Sequence, residues 1–146
     1  MLIDALFFSI ILGYLRGGSL SRLSRLNIKY PWLIFLAFLI NFLLLPFLFK
    51  EKLLSANSIF FGLVFSYLFL LVAVWFNRKD KYLLILGAGI ALNFLVILLN
   101  RGMPVSLFMV EKFSPQDYEY IRNMEGFLHI PMTDSTQLKF LGDILP

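Results

Sequence analysis

Residues 82–99 read YLLILGAGIALNFLVILL, and their reading decides the fold. No charged side chain interrupts the 18 positions. As a helix rising about 1.5 Å per residue the run reaches roughly 27 Å, close to the ~30 Å hydrocarbon core of a bilayer. Its apolar residues are continuous, whereas a membrane-barrel strand alternates apolar and polar positions over about ten residues. Two runs of the same kind lie upstream at residues 32–49 and 59–76. A fourth, residues 1–15, is shorter, would cover roughly 22 Å and carries Asp4 near its start. No basic residue precedes it, which argues against a cleaved secretory signal. Tyr30, Trp32, Trp75 and Tyr82 stand at run ends, where amphipathic rings suit the boundary between headgroups and chains. The expected fold is therefore an all-α membrane protein. Four transmembrane helices (1–15, 32–49, 59–76, 82–99) form a bundle over residues 1–100, followed by a tail, 101–146, of short amphipathic helices.

Composition agrees with membrane residence. Of the 146 residues, 60% are hydrophobic and 15% charged, against about 25% charged in soluble domains. The mean hydropathy is +0.83. With no cysteine, disulfides and thiolate metal sites are excluded. The net charge of +4 is a topology signal rather than a nucleic-acid footprint, because the basic residues flank the apolar runs. Arg16, Arg22, Arg25, Lys29, Arg78, Lys79 and Lys81 fall on one side. Lys50, Lys52, Arg101 and Lys112 fall on the other. The charge bias places the first set in the cytoplasm, so the expected location is the cytoplasmic membrane, with the N-terminus and the tail extracytoplasmic.

Within residues 19–29, Leu20, Leu23 and Leu26 recur every third position among Arg22, Arg25 and Lys29. A helix there would lie on the membrane, with Arg16, Arg22, Arg25 and Lys29 meeting lipid headgroups. Its plainest role is a topology anchor, and a regulatory lipid site is the alternative. Asn41 and Asn93 lie near the middles of two spans, where an unsatisfied amide is costly and is expected to face another helix or a cavity. Gly62 with Ser66, and Gly87 with Ala91, are small pairs four apart that permit close helix approach. The three long runs hold no Asp, Glu, Lys, Arg or His at their centres, which disfavours proton-coupled transport.

The tail opens with Asn100-Arg101-Gly102-Met103-Pro104. Gly102 is expected to take the left-handed conformation that ends a helix, with Pro104 preventing its resumption. Ser114-Pro115-Gln116-Asp117 reads as a helix start with a serine cap, after which Tyr118, Ile121, Met124 and Leu128 share a face. Thr133 or Asp134 would cap a last turn through Leu138 and Leu141. His129, the only histidine, has Asp134 and Asp143 near it in sequence but no metal-ligand spacing and no nucleophile–base pattern. A structural role outweighs a catalytic one, and neither a cofactor nor a metal is expected.

The stretch 100–106, NRGMPVS, followed by His129 and by Thr136, Leu138 and Phe140-Leu141-Gly142-Asp143-Ile144, resembles the family called domain of unknown function 5317, as does the Leu15-Arg16-Gly17-Gly18 turn. The resemblance covers nearly the whole chain and implies a small multi-spanning bacterial membrane protein with no activity to transfer. It also implies that Asn100, Arg101, Gly102, Pro104, His129, Gly142 and Asp143 form one surface feature at the mouth of the bundle. Relatives are expected to continue past the Gly-Asp step into another apolar helix, which would make the tail a loop between spans. The leading functional expectation is a non-enzymatic accessory or scaffold subunit, with lipids, partner membrane subunits or further copies of itself as partners. A small transporter or channel for an apolar or neutral solute is the alternative, with Asn41 and Asn93 facing a cavity. Less favoured is a lipid-modifying enzyme using His129.

Overall fold

In a computed structural model, described for residues 2–19, 27–51, 53–123 and 128–143, helices dominate. Three of them are long and apolar enough to cross a membrane: Pro31–Lys50, Ala56–Phe76 and Lys81–Asn100. Each starts or ends a few residues outside the run expected from the sequence, because hydrogen bonding continues past the apolar core into the capping residues. The N-terminal helix α1 (Leu2–Leu15) has 14 residues, about 21 Å at the usual rise. It falls short of a full span, so the structure supports three spans where the sequence suggested four. It ends in a Schellman turn: Gly17 is left-handed (φ 74°), Gly17 N donates to Tyr14 O and Gly18 N to Gly13 O.

The Pro31–Lys50 span comprises α2 (Pro31–Phe38), a π-helical segment (Leu39–Leu44) and α3 (Leu45–Lys50). Leu33, Ala37 and Leu45 are buried, and Asn41 bonds across the same interface, so the inward stripe repeats every fourth residue. A regular helix advances about 100° per residue, and such a stripe would drift by roughly 120° between positions 33 and 45. The wider π turns cancel the drift. Pro46 supplies the cause, since its ring would collide with the carbonyl four residues back and it has no N–H to give.

Helix α4 (Ala56–Phe76) lies between that span and α5 (Lys81–Asn100). Ser55 caps α4 by accepting from Ser58 N (3.3 Å), and Asp80 caps α5 by accepting from Tyr82 N (2.8 Å) and Leu83 N (3.3 Å). Glycines set the closest approaches. A Cβ on Gly62 would sit 2.5 Å from Leu45 Cδ2, and one on Gly87 2.4 Å from Val74 Cγ1. Gly62 and Ser66 thus face the Pro31–Lys50 span together. Gly87 faces α4, while Ala91 is exposed.

Beyond α5 the chain folds into a cap. Strand β1 (Met103–Val105) leads into α6 (Leu107–Phe113) and α7 (Pro115–Arg122), and the chain returns as β2 (His129–Pro131), parallel to β1. A 3-10 turn (Lys139–Leu141) precedes Asp143, which bridges to Val105 on the other side of β1. The expectation of an all-α chain is corrected here, because strands this short carry no readable alternation. Val105, Val110 and Ile121 are buried together, with Leu107 and Tyr118 against them. α7 therefore packs on α6 and the sheet. Met124 lies outside the described residues, as do residues 20–26 with Arg22 and Arg25.

Candidate functional site, a clamped cap and two intramembrane amides

Asn100, the last residue of α5, reaches back and outward. Its Nδ2 donates to Val96 O (2.9 Å) and to Gln137 O (3.0 Å), and its Oδ1 accepts from Gln137 N (2.9 Å). One side chain thereby engages both backbone groups of a residue 37 positions away, fastening the returning chain to the helix end. The turn that follows is left-handed at Arg101 (φ 60°), not at Gly102 as the sequence suggested. Gly102 is needed for proximity instead, since a Cβ there would lie 2.9 Å from Ile130 Cγ2 and 3.3 Å from Leu128 O.

Pro104 is fully buried in the middle strand. Its carbonyl accepts from Asp143 N (2.8 Å), and Ser106 N donates to Asp143 O (3.1 Å). On the opposite edge Met103 N donates to Leu128 O (2.7 Å) and Val105 O accepts from Met132 N (2.9 Å). The proline's missing donor faces the side where the neighbouring strand is one residue long, so no ladder bond is lost. Gly142 allows this approach: a Cβ would stand 2.8 Å from Met132 Cε and 2.9 Å from Pro104 O. The structure thus brings Asn100, Gly102, Pro104, His129, Gly142 and Asp143 into one cap, most of them engaged through backbone or close packing. His129 and Asp143 keep their side chains free of that framework, with His129 Nε2 3.9 Å from Asp143 Oδ2 and both partly exposed. Among the described residues no group of three His, Asp or Glu side chains could share a metal ion.

The serine cap expected at Ser114 is not made by its side chain. Asp117 N bonds Ser114 O (2.9 Å), and Ser114 takes φ −142° and ψ 60°. The turn after Pro131 is closed by Thr136 Oγ1, which accepts from Thr133 N (2.8 Å), while Asp134 pairs with Lys139 Nζ (3.5 Å).

At the far end of the spans Asn77 repeats the arrangement of Asn100. Its Nδ2 donates to Ala73 O (2.8 Å) and Lys29 O (2.9 Å), and its Oδ1 accepts from Lys29 N (2.8 Å). Lys29 lies 48 positions away, and each clamped residue is followed by a left-handed one, Tyr30 (φ 56°) or Leu138 (φ 53°). Such backbone is costly outside glycine and persists where neighbours over-determine it. Tyr30 is held further by its ring, 4.6 Å from that of Phe76. Asn77 was not singled out from the sequence. Its one visible signal is an asparagine at each helix end, Asn77 just after α4 and Asn100 at the close of α5.

The two intramembrane amides differ. Asn41 Nδ2 donates to Ser66 Oγ, and Ser66 Oγ donates to Ala37 O (3.3 Å), making a polar seam inside the interface with α4. Asn41 Oδ1 is buried with no protein partner. Asn93 is exposed, and no described residue of this chain covers it. It continues the spacing of Leu83, Leu86 and Ile90 along α5, and a Cβ on Gly89, one turn earlier, would meet nothing.

No curated protein and no solved structure matches the chain. A family model does, over residues 25–146, from just before the Lys29 clamp through all three spans and the cap, leaving α1 outside the match. With nearly the whole chain covered, this protein, with three helices long and apolar enough to cross a membrane among its described residues, belongs to the family described as "Family of unknown function (DUF5317)".

Proposed function

We propose that the protein is a non-catalytic subunit of a cytoplasmic-membrane assembly, docking a partner helix on the Gly89–Asn93 flank of α5 and holding its cap on the extracytoplasmic side. The observation that carries this reading is the exposed amide of Asn93 near the middle of a membrane span. An amide turned to hydrocarbon lacks hydrogen-bond partners, whereas one turned to a neighbouring helix finds them. Gly89, with open space in front of it, lets another backbone come close. The spans bury only 17%, 22% and 17% of their apolar windows inside the chain, leaving ample helix surface for association. Asn41 is tied through its Nδ2 to Ser66 at the interface between two spans of the chain itself.

The test is the mass of the species extracted in mild detergent from cells producing the full chain. Interhelical amide bonds in membranes average about 0.6 kcal/mol and reach about 1.7, so Asn93→Leu should weaken association by at most roughly an order of magnitude. Gly89→Leu, which fills the approach, should release the chain as a lighter species. An unchanged mass in the double variant would overturn the proposal.

A further inference from the structure

Two cavities meet at the Lys29 end of the spans. The outer one, of about 390 Å³, is lined by Lys29, Arg78 and Lys79 together with Trp75, Phe76 and Asp80. The inner one, of about 230 Å³, runs over α4 between Ile34 and Phe38 on one side and Leu83, Leu86 and Ile90 on the other. They share Ile28, Asn77 and Leu83, so the second continues the first. Asn77 is the one polar residue of the inner cavity, and both of its amide hydrogens are already given to Ala73 O and Lys29 O. Its oxygen is taken by Lys29 N. The inner wall therefore offers hydrocarbon surface and no free donor. Phe38 and Leu86 on its rim are exposed, leaving it open sideways to the bilayer.

The outer cavity has the opposite chemistry. Lys29, Arg78 and Lys79 are exposed cations. The single acid, Asp80, is occupied in capping α5 through Oδ1. Arg78 lies over the Trp75 ring, its guanidinium carbon 4.3 Å from the centroid, which fixes the charge at the depth where an indole rests in the interface. Sugar hydroxyls or nucleotide bases placed in the inner groove would go unpaired there. The cationic mouth above that groove complements an anionic head on an apolar chain. Basic pockets between membrane helices take lipid headgroups on these physical grounds.

We propose that this composite cavity binds one anionic phospholipid, its phosphate against Lys29, Arg78 and Lys79 and one acyl chain in the groove between the Pro31–Lys50 span and α5. Asn77 is then a positioning residue, because its hold on the Lys29 backbone sets where that ammonium begins. The site does not rest on the subunit role, although Ile90 of its inner wall lies within the flank that role uses.

The test uses Trp75 as reporter. In a Trp32→Phe background, which leaves one tryptophan, the full chain is reconstituted into phosphatidylcholine vesicles holding a minor fraction of brominated phosphatidylglycerol or, in parallel, brominated phosphatidylcholine. Quenching by the anionic lipid should exceed that by the zwitterionic one. Arg78→Gln with Lys79→Gln, both surface changes that leave the fold intact, should reduce the anionic preference roughly tenfold or more. Leu86→Phe, which narrows the groove, should lower quenching by both lipids. Equal quenching by the two headgroups, or an anionic excess that survives loss of both charges, would overturn the proposal. So would a groove closed to lipid by a second copy, seen as no quenching in the parent and a change of oligomer in Leu86→Phe.

Discussion

At the residue scale the two asparagine clamps have the same hydrogen bonds and different surroundings. The Asn77 bonds are partly to fully shielded, whereas those between Asn100 and Gln137 are exposed to water. A hydrogen bond contributes about 1 kcal/mol net, but a buried group left unpaired costs about 1–3 kcal/mol. Asn77→Ala would leave Lys29 N–H and C=O without their partner and is expected to lower stability by about 2–4 kcal/mol. Asn100→Ala, whose orphans water can serve, should cost about 1 kcal/mol. Thermal unfolding of the two variants in the same neutral detergent checks the order, and equal losses would show that the Lys29 segment draws its stability from elsewhere. His129→Ala belongs at the other extreme. A half-exposed pair 3.9 Å apart contributes at most about 1 kcal/mol, so this change should leave the melting temperature nearly where it was. A substantial loss would mean that the imidazole supports the cap in a way its geometry does not suggest.

At the element scale the Pro31–Lys50 span shows a helix shaped by a single residue. Pro46 and the four-residue spacing of Leu33, Ala37, Asn41 and Leu45 require each other, since the stripe stays on α4 only while the π turns absorb the drift. Replacing Pro46 by Ala returns the missing N–H and removes the clash, so the segment should relax toward regular α-helix. Leu45 would then rotate away from Gly62. In this cysteine-free chain, Leu45→Cys with Gly62→Cys should form a disulfide efficiently when Pro46 is present and poorly after Pro46→Ala; equal yields would show that packing alone holds the wide turns. Much of this level was legible in the sequence. The three spans follow from long runs without charge, which have one low-energy conformation in hydrocarbon. What escaped depended on partners distant in the chain. Strands of three residues have no period to detect, the exchange of left-handed geometry from Gly102 to Arg101 is settled by how closely Ile130 approaches, and the reach of Asn77 to Lys29 is invisible until the helices are packed. The Tyr118–Leu128 face was read as one amphipathic helix, yet α7 ends at Arg122, since Tyr118 and Ile121 already find their apolar contacts against α6 and β1.

At the scale of the whole molecule the antiparallel spans separate two kinds of surface. The Lys29, Arg78 and Lys79 mouth lies at one end, and the loop at Ser55 with the cap lies at the other, because each span reverses the direction of the one before. This division holds whichever end faces the cytoplasm, and the proposed function puts the mouth there. The reasoning gives a pattern for single cysteines placed at Ser55, Ser114, Ser135 and Lys79 and challenged with an impermeant thiol reagent. In intact cells the first three should react together, while the fourth should react only after permeabilisation. If Lys79→Cys reacts and the other three do not, the three-span layout stands but the cap is cytoplasmic, and partners on that side must be sought. If Ser55→Cys separates from Ser114→Cys and Ser135→Cys, α4 and α5 do not both cross. The cap would then no longer stand opposite the basic mouth, and the proposed docking of a membrane partner beside Asn93 would lose its premise.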